Sequence, residues 1–133
     1  MKILQYIFPS EINDIWDEVE KFIADGLEGS TEYEVEHAKQ YLLNGNQSLL
    51  AMVENDKIVG AIVIEIGKFP KETIAFISSI GGSGTKDIWE QLTDWCKSQG
   101  ATVIRGCASE AVFRLWRKQF NFENRYIVVE KKL

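Results

Sequence analysis

The sequence predicts a mixed α+β domain, with one central sheet, part parallel and part antiparallel, and helices on both of its faces. Three observations carry this prediction. Runs of β-branched and aromatic residues alternate along the chain with segments of helical period. Two of the runs are joined through a polar turn, Glu54-Asn55-Asp56-Lys57, so they pair as an antiparallel hairpin. Two later runs, 72–80 and 101–107, are separated by a helical segment that starts near Thr85; a crossover of this kind is right-handed and leaves its strands parallel.

Taken in order, KILQYIF (Lys2 to Phe8) reads as a strand that Pro9 ends. Ser10 offers an N-cap to a helix from Glu11 to about Ala24, whose apolar face is Ile12, Ile15, Trp16, Val19, Phe22 and Ile23, and Gly26 and Gly29 close it. Thr31 with Glu34 makes a capping-box pattern for a second helix through Val35, Ala38, Tyr41 and Leu42, stopped at Gly45. SLLAMVENDKIVGAIVIEI supplies the hairpin, and ETIAFISSI follows the break at Pro70 as a third strand of this group. Ile88, Leu92, Trp95 and Cys96 set the face of the next helix, which ends near Gly100. ATVIRGCA is a strand, Ser109 caps a last helix bearing Val112, Phe113, Trp116 and Phe120, and NRYIVVEKK reads as a final strand. The order is β-α-α-β-β-β-α-β-α-β. No repeat, low-complexity tract or linker interrupts it, so residues 1–133 read as a single domain.

Composition narrows the functional classes. A chain of 133 residues, 45% hydrophobic and 26% charged, suits one globular core. There is no signal pattern and no apolar run near the roughly 18 residues that span a bilayer, so a soluble, cytoplasmic protein with no membrane partner is expected. Cys96, Cys107 and His37 have no metal-ligand spacing, which leaves no metal site or disulfide framework to expect. Between Glu11 and Glu36 ten carboxylates face one lysine, Lys21, whereas beyond Gly100 the bases Arg105, Arg114, Arg117, Lys118, Arg125, Lys131 and Lys132 outnumber the acids. These are either two solvated faces or a bipolar surface with a basic half for a phosphate-bearing ligand and an acidic half for a cationic one. The net charge of −5 argues against a nucleic-acid partner.

The most informative stretch is SSIGGSGTKDIW, Ser78 to Trp89, where glycines stand between a strand and a helix. Backbone N–H groups in such a unit converge with the unpaired amides of the first helical turn, and the helix dipole adds positive charge at the same spot. A phosphate or pyrophosphate would fit there, with Thr85 and Lys86 in the first turn. The sequence is neither a Walker loop nor G-x-G-x-x-G, so the loop alone is equally read as a tight turn.

Together with the element order, these residues resemble the GNAT superfamily of N-acetyltransferases, and in particular the short GNAT-like proteins that phages and prophages encode. The resemblance covers nearly the whole chain. Ser79-Ile80-Gly81-Gly82-Ser83-Gly84 is similar to the family's Gln/Arg-x-x-Gly-x-Gly/Ala loop in its glycines; LLAMVENDKIVGAIVIEI looks like the family's second and third strands; FRLWRKQFNFE resembles the last helix and its exit, with Asn121-Phe122 where Gly-Phe is common. The resemblance implies acetyl-CoA as co-substrate and an amine acceptor. The loop amides of Gly81, Gly82, Ser83 and Gly84 would hold the pyrophosphate, and Ser78, Ser79, Ile80, Thr85 and Lys86 around them are further cofactor-binding candidates. The strands matching 72–80 and 101–107 would splay around the pantetheine arm, near Ser109, and an amide near Phe76 or Ile77 would polarise the thioester carbonyl.

Two features depart from the family. Ser79 stands where the loop begins with Gln or Arg, and the last helix has Leu115, Trp116 and Arg117 where many members carry the tyrosine that protonates the leaving thiolate. Cys107, Ser109 and Tyr126 are the replacement acids to consider, and Glu65 and Glu72 the candidate bases. For each, a plain structural role is the competing reading: strand-end carboxylates, a small core thiol. The tryptophans read as core, and His37 as a surface residue. The acidic segment between the first helices, DGLEGSTEYEVE, would draw a cationic acceptor such as a polyamine or a lysine side chain. Three readings follow: an N-acetyltransferase, a GNAT-like binding or structural protein that has lost the chemistry, and a nucleotide-binding module using the same loop. An unpaired edge at the C-terminal strand would support a homodimer, although its lysines also serve to block edge pairing.

Overall fold

A computed structural model describes residues 1–28, 30 and 32–133 of the chain. Its strands form one sheet in chain order: β1 (Lys2–Ile7), β2 (Ser48–Glu54), β3 (Lys57–Lys68), β4 (Thr73–Gly82) and β5 (Val103–Gly106). β1 through β4 pair antiparallel, and β4 with β5 parallel. The helices are α1 (Ile12–Gly26), α2 (Val35–Leu43), α3 (Thr85–Ser98) and α4 (Glu110–Phe120). The expected class, a mixed sheet with helices on both faces, is the one observed.

The period-two pattern of β2 and β3 explains the two layers. Leu49, Ala51, Ala61 and Val63 join Ile12, Trp16, Val19 and Ile23 of α1 and Ala38 and Leu42 of α2 in one core. Leu50, Met52, Ile62 and Ile64 point the other way, onto Ile88, Leu92 and Cys96 of α3. Each fully buried leucine or isoleucine contributes roughly 1.5–3 kcal/mol of transfer free energy. Of the tryptophans expected in the core, only Trp16 is buried; Trp95, stacked on Tyr6, and Trp89, stacked on Phe120 with ring centres 4.2 Å apart, are half-buried against the α3 layer, and Trp116 is half-buried beside Phe122.

Local chemistry sets the element ends. Asn55 and Asp56 both adopt left-handed backbone (φ 52° and 63°), the geometry a two-residue hairpin turn between β2 and β3 requires. At α1 the expected Ser10 cap is not used. Ser10 lies in a short 3-10 turn, Pro9–Glu11, and the Phe8 N–H donates to the Glu11 carboxylate at 3.0 Å. Gly29 and Thr31, expected to close α1 and cap α2, lie outside the described residues. α2 begins after Glu34, whose N–H donates to Nδ1 of the exposed His37 at 2.9 Å. At α4 the expected cap is present, the Val112 N–H donating to Ser109 Oγ at 3.3 Å, and Asn121 ends the helix in left-handed backbone (φ 58°), the conformation glycine would supply.

The expected last strand does not form. Residues 121–133 have no regular structure, and Ile127, Val128 and Val129 are 80%, 73% and 86% exposed. Its natural partner, β5, has only four residues, and no apolar layer lies over the run to reward pairing. The unpaired edge at this end of the sheet is therefore β5 itself. Among the described residues no helix is long and apolar enough to cross a membrane.

Candidate functional site

The sheet opens at its β4–β5 side. The parallel ladder runs from Ile74 and Val103 to Ile77 and Gly106, where β5 stops and the chain turns through Cys107, Ala108 and Ser109 into α4. β4 continues to Gly82. At the fork its pairing with β3 also shifts: Ile64 faces Ile77, Val63 faces Ser79, and Ser78 has no strand partner on either side. A bulge of this kind re-aims a side chain at the point where pairing ends.

Glycines bring α1 down onto β4 beside the fork. A Cβ at Gly26 would run into Ser79 Oγ and the Ile80 backbone, and one at Gly81 into the backbone of Phe22. Ser79 is buried there and donates its hydroxyl hydrogen to the Ile23 carbonyl at 3.1 Å. The chain leaving α1 is thus carried over the fork and roofs a cleft of about 320 Å³. Gly26, Leu27, Glu28, Ser30, Glu32 and Tyr33 form the roof; Phe76, Ile77 and Ser78 form one wall and Cys107, Ala108 and Ser109 the other. The C-terminal end of α1, with its negative dipole end, and the carboxylates of Glu28 and Glu32 all lie on this cleft, which favours a cation.

A smaller cavity of about 230 Å³ adjoins it through the shared Phe76 and is lined by Glu65, Gly67, Phe69, Ile74, Arg105 and Tyr126. Arg105 bridges its rim: Nη2 donates to Glu72 Oε2 at 3.2 Å, and the guanidinium sits 5.6 Å from the Tyr126 ring centre. Glu72 is therefore engaged in an ion pair, whereas Glu65 lines the cavity wall. Burial pushes the Cys96 thiol up to about 11, so it stays protonated near neutrality, while Cys107 is exposed on the cleft.

The expected glycine loop is shorter than the sequence suggests. Gly81 and Gly82 belong to β4 and pair with Ala61 and Gly60. Only Ser83 and Gly84 form the turn, and Gly82 and Gly84 need positive φ, 102° and 85°. Lys2 lies against this turn, donating to the Ser83 carbonyl at 3.3 Å and pairing with Asp87 at 3.6 Å. Thr85 and Lys86 open α3 and contribute amides with no acceptor within the helix. The structure thus gathers Phe76, Ile77, Ser78, Cys107 and Ser109 at the cleft and Glu65 and Tyr126 at the adjoining cavity, with Glu72 at the rim. Ile80 packs in the α3 layer, and none of the residues from Ser79 to Lys86 lines either cavity.

One residue of the site has no sequence signature. Gln47, between α2 and β2, is 7% exposed; its Nε2 donates to Ser78 Oγ at 3.3 Å and its Oε1 has no partner. A single glutamine beside a strand carries no pattern, and only the fold brings it to a residue 31 positions later.

No family model matches the sequence, and no curated protein matches it significantly. Solved structures with the same fold do. An aminoglycoside acetyltransferase from an uncultured soil metagenomic sample, solved with trehalose, is similar at TM-score 0.72 and 12% identity, over 99% of this chain and 96% of that one. The ribosomal-protein-alanine N-acetyltransferase of Brucella melitensis biovar Abortus 2308 is similar at TM-score 0.72 and 10% identity, over 100% and 99%. A protein of Clostridium acetobutylicum described as a predicted acetyltransferase, solved with acetyl-CoA, is similar at TM-score 0.67 and 15% identity, over 99% and 96%. At such identities the likeness is one of fold, and the fold of this chain is the GNAT fold.

Proposed function

We propose that this protein is an acyl-CoA-dependent N-acetyltransferase whose acceptor is a cationic amine. The observation that carries the reading is the fork itself: a strand pair that parts at Ile77 and Gly106, with a bulged Ser78 at the parting, beneath a roof bearing Glu28 and Glu32. The β5-facing edge of β4, unpaired beyond Ile77, would receive the amides of a pantetheine arm. The first-turn amides of α3 at Thr85 and Lys86, with the Lys86 ammonium, would hold the pyrophosphate. The acetyl-CoA complex of the Clostridium protein and the sisomicin complex of the soil aminoglycoside acetyltransferase, a fold neighbour at 12% identity, support both halves of the assignment.

In the reaction the acceptor nitrogen forms a bond to the thioester carbon, the carbon–sulfur bond breaks, and the electron pair leaves on sulfur. The ammonium must lose one proton before it can attack and the nitrogen a second as the adduct collapses to the amide, while the thiolate gains one, so that one proton is released overall. Glu65 is the base of choice, because Glu72 is held by Arg105. The Cys107 thiol, on the cleft wall, is the donor to the departing sulfur. Rate enhancement would come chiefly from holding the two reactants together. One observation favours a second reading, a binding protein of the same fold: Lys2 occupies the space at Gly84 and already satisfies the Ser83 carbonyl.

The test is calorimetric titration with acetyl-CoA and with desulfo-CoA on the wild type and on Lys86→Glu. This substitution is exposed and leaves the strained glycines alone. Micromolar binding that weakens about tenfold or more in the variant supports the transferase, since it removes a charge-assisted contact. No heat and no thermal shift at millimolar ligand would leave only the second reading.

A further inference from the structure

Resting on the acyltransferase reading, we infer that Gln47 is a positioning residue. It holds the Ser78 hydroxyl so that its proton points into the cleft and meets the thioester carbonyl oxygen of a bound acyl-CoA.

A serine hydroxyl has one hydrogen and two lone pairs. At Ser78 one lone pair is taken by the Gln47 amide, which donates from Nε2 at 3.3 Å. The hydroxyl hydrogen is then left for another acceptor, and Ser78 is a lining residue of the cleft. Ser78 is also the bulged residue at the end of the parallel ladder, so its side chain is aimed by the local backbone rather than by strand pairing.

Gln47 is itself held firmly. Its N–H donates to the Tyr41 carbonyl at 3.2 Å, at the end of α2, and Tyr41 meets the roof residue Tyr33 edge to face, ring centres 5.9 Å apart. The arrangement carries a penalty. Gln47 Oε1 is buried with no hydrogen-bond partner, and native structures hold few such groups. An apolar side chain of the same length would fold at least as well. The amide nitrogen turned toward Ser78 explains a glutamine here: the opposite orientation would give the carbonyl oxygen to Ser78 and consume the hydroxyl proton that the cleft needs.

The experiment compares binding of acetyl-CoA with that of S-ethyl-CoA, a thioether without the carbonyl, by calorimetry on wild type, Gln47→Met, Ser78→Ala and the double variant. A hydrogen bond to the carbonyl gives the wild type a preference for acetyl-CoA of about three- to tenfold. Gln47→Met and Ser78→Ala each abolish the preference, the double variant loses nothing further, S-ethyl-CoA affinity is unchanged, and the melting temperature of Gln47→Met does not fall. Four outcomes overturn the inference. The wild type binds both ligands equally, in which case the acyltransferase reading still stands. Gln47→Met keeps the preference. Gln47→Met loses both ligands together with stability, which is a structural role. The wild type binds neither ligand, which removes the acyltransferase reading as well.

Discussion

Residues 1–100 and 101–133 of this chain are built on different principles. Every buried side chain among the described residues comes from the first region, from Ile7 to Cys96, and none from the second. The first is held by two apolar layers on either face of a sheet. The second is held by a four-residue strand, a serine cap, a left-handed asparagine and the aromatic cluster of Trp89, Trp116, Phe120 and Phe122. The cleft lies on the boundary: its Phe76–Ser78 wall stands on the rigid side and its Cys107–Ser109 wall on the other. One wall of the fork is thus anchored in the buried layers, and the other belongs to a region with no fully buried side chain.

Core truncation tests this contrast most strongly. Leu92→Ala empties a fully buried position in the α3 layer and is expected to cost about 2–5 kcal/mol in urea denaturation. Leu115→Ala on α4, half-exposed, is expected to change stability by no more than about 0.5 kcal/mol. Equal losses would mean that α4 belongs to the core after all. Gly81→Ala comes next. The added methyl meets the Phe22 backbone, which cannot swing aside as a side chain would, so about 1–3 kcal/mol is expected. Calorimetric melting checks it, and a neutral result would show that α1 can lift from β4. Ser109→Ala removes the α4 cap at about 1 kcal/mol; amide exchange should quicken over 110–120 while β2 and β3 stay protected.

The same division separates what was legible in the sequence from what was not. β2, β3, α1 and α3 were readable because their apolar residues recur at the period of the element, and the hairpin because Asn-Asp tolerates positive φ. NRYIVVEKK carries equally strong strand propensity and forms none, because propensity needs a partner and a covered face. The glycine run misled in a related way. Gly81 and Gly82 looked like a ligand loop, but they are strand residues whose missing side chains admit α1 on one side and Val59 and Gly60 on the other. Ser78, Cys107 and Ser109, named from the family resemblance, all line the cleft, although 29 and 31 positions separate Ser78 from the other two in the chain. Gln47 was out of reach, since its hydrogen bond to Ser78 depends on a bulge that no local pattern announces.

The smallest expected effect compares the two cysteines. Burial keeps the Cys96 thiol protonated to about 11, against 9.0 for the ordinary thiol of the unfolded chain. Because the folded value is the higher one, this contribution to stability is fully present below about pH 9 and is lost as pH rises toward 11. Lysines titrate in the same window, so the thiol is isolated by the difference between the wild type and Cys96→Val. That difference should be flat at neutral pH and tilt against the wild type as the solution turns alkaline. At neutral pH a disulfide reagent should label Cys107, exposed on the cleft wall, and reach Cys96 only when the chain unfolds. Labelling of Cys96 at the rate of Cys107 would mean that α3 opens as readily as the C-terminal region, and the contrast between the two regions would then fail at its firmest point.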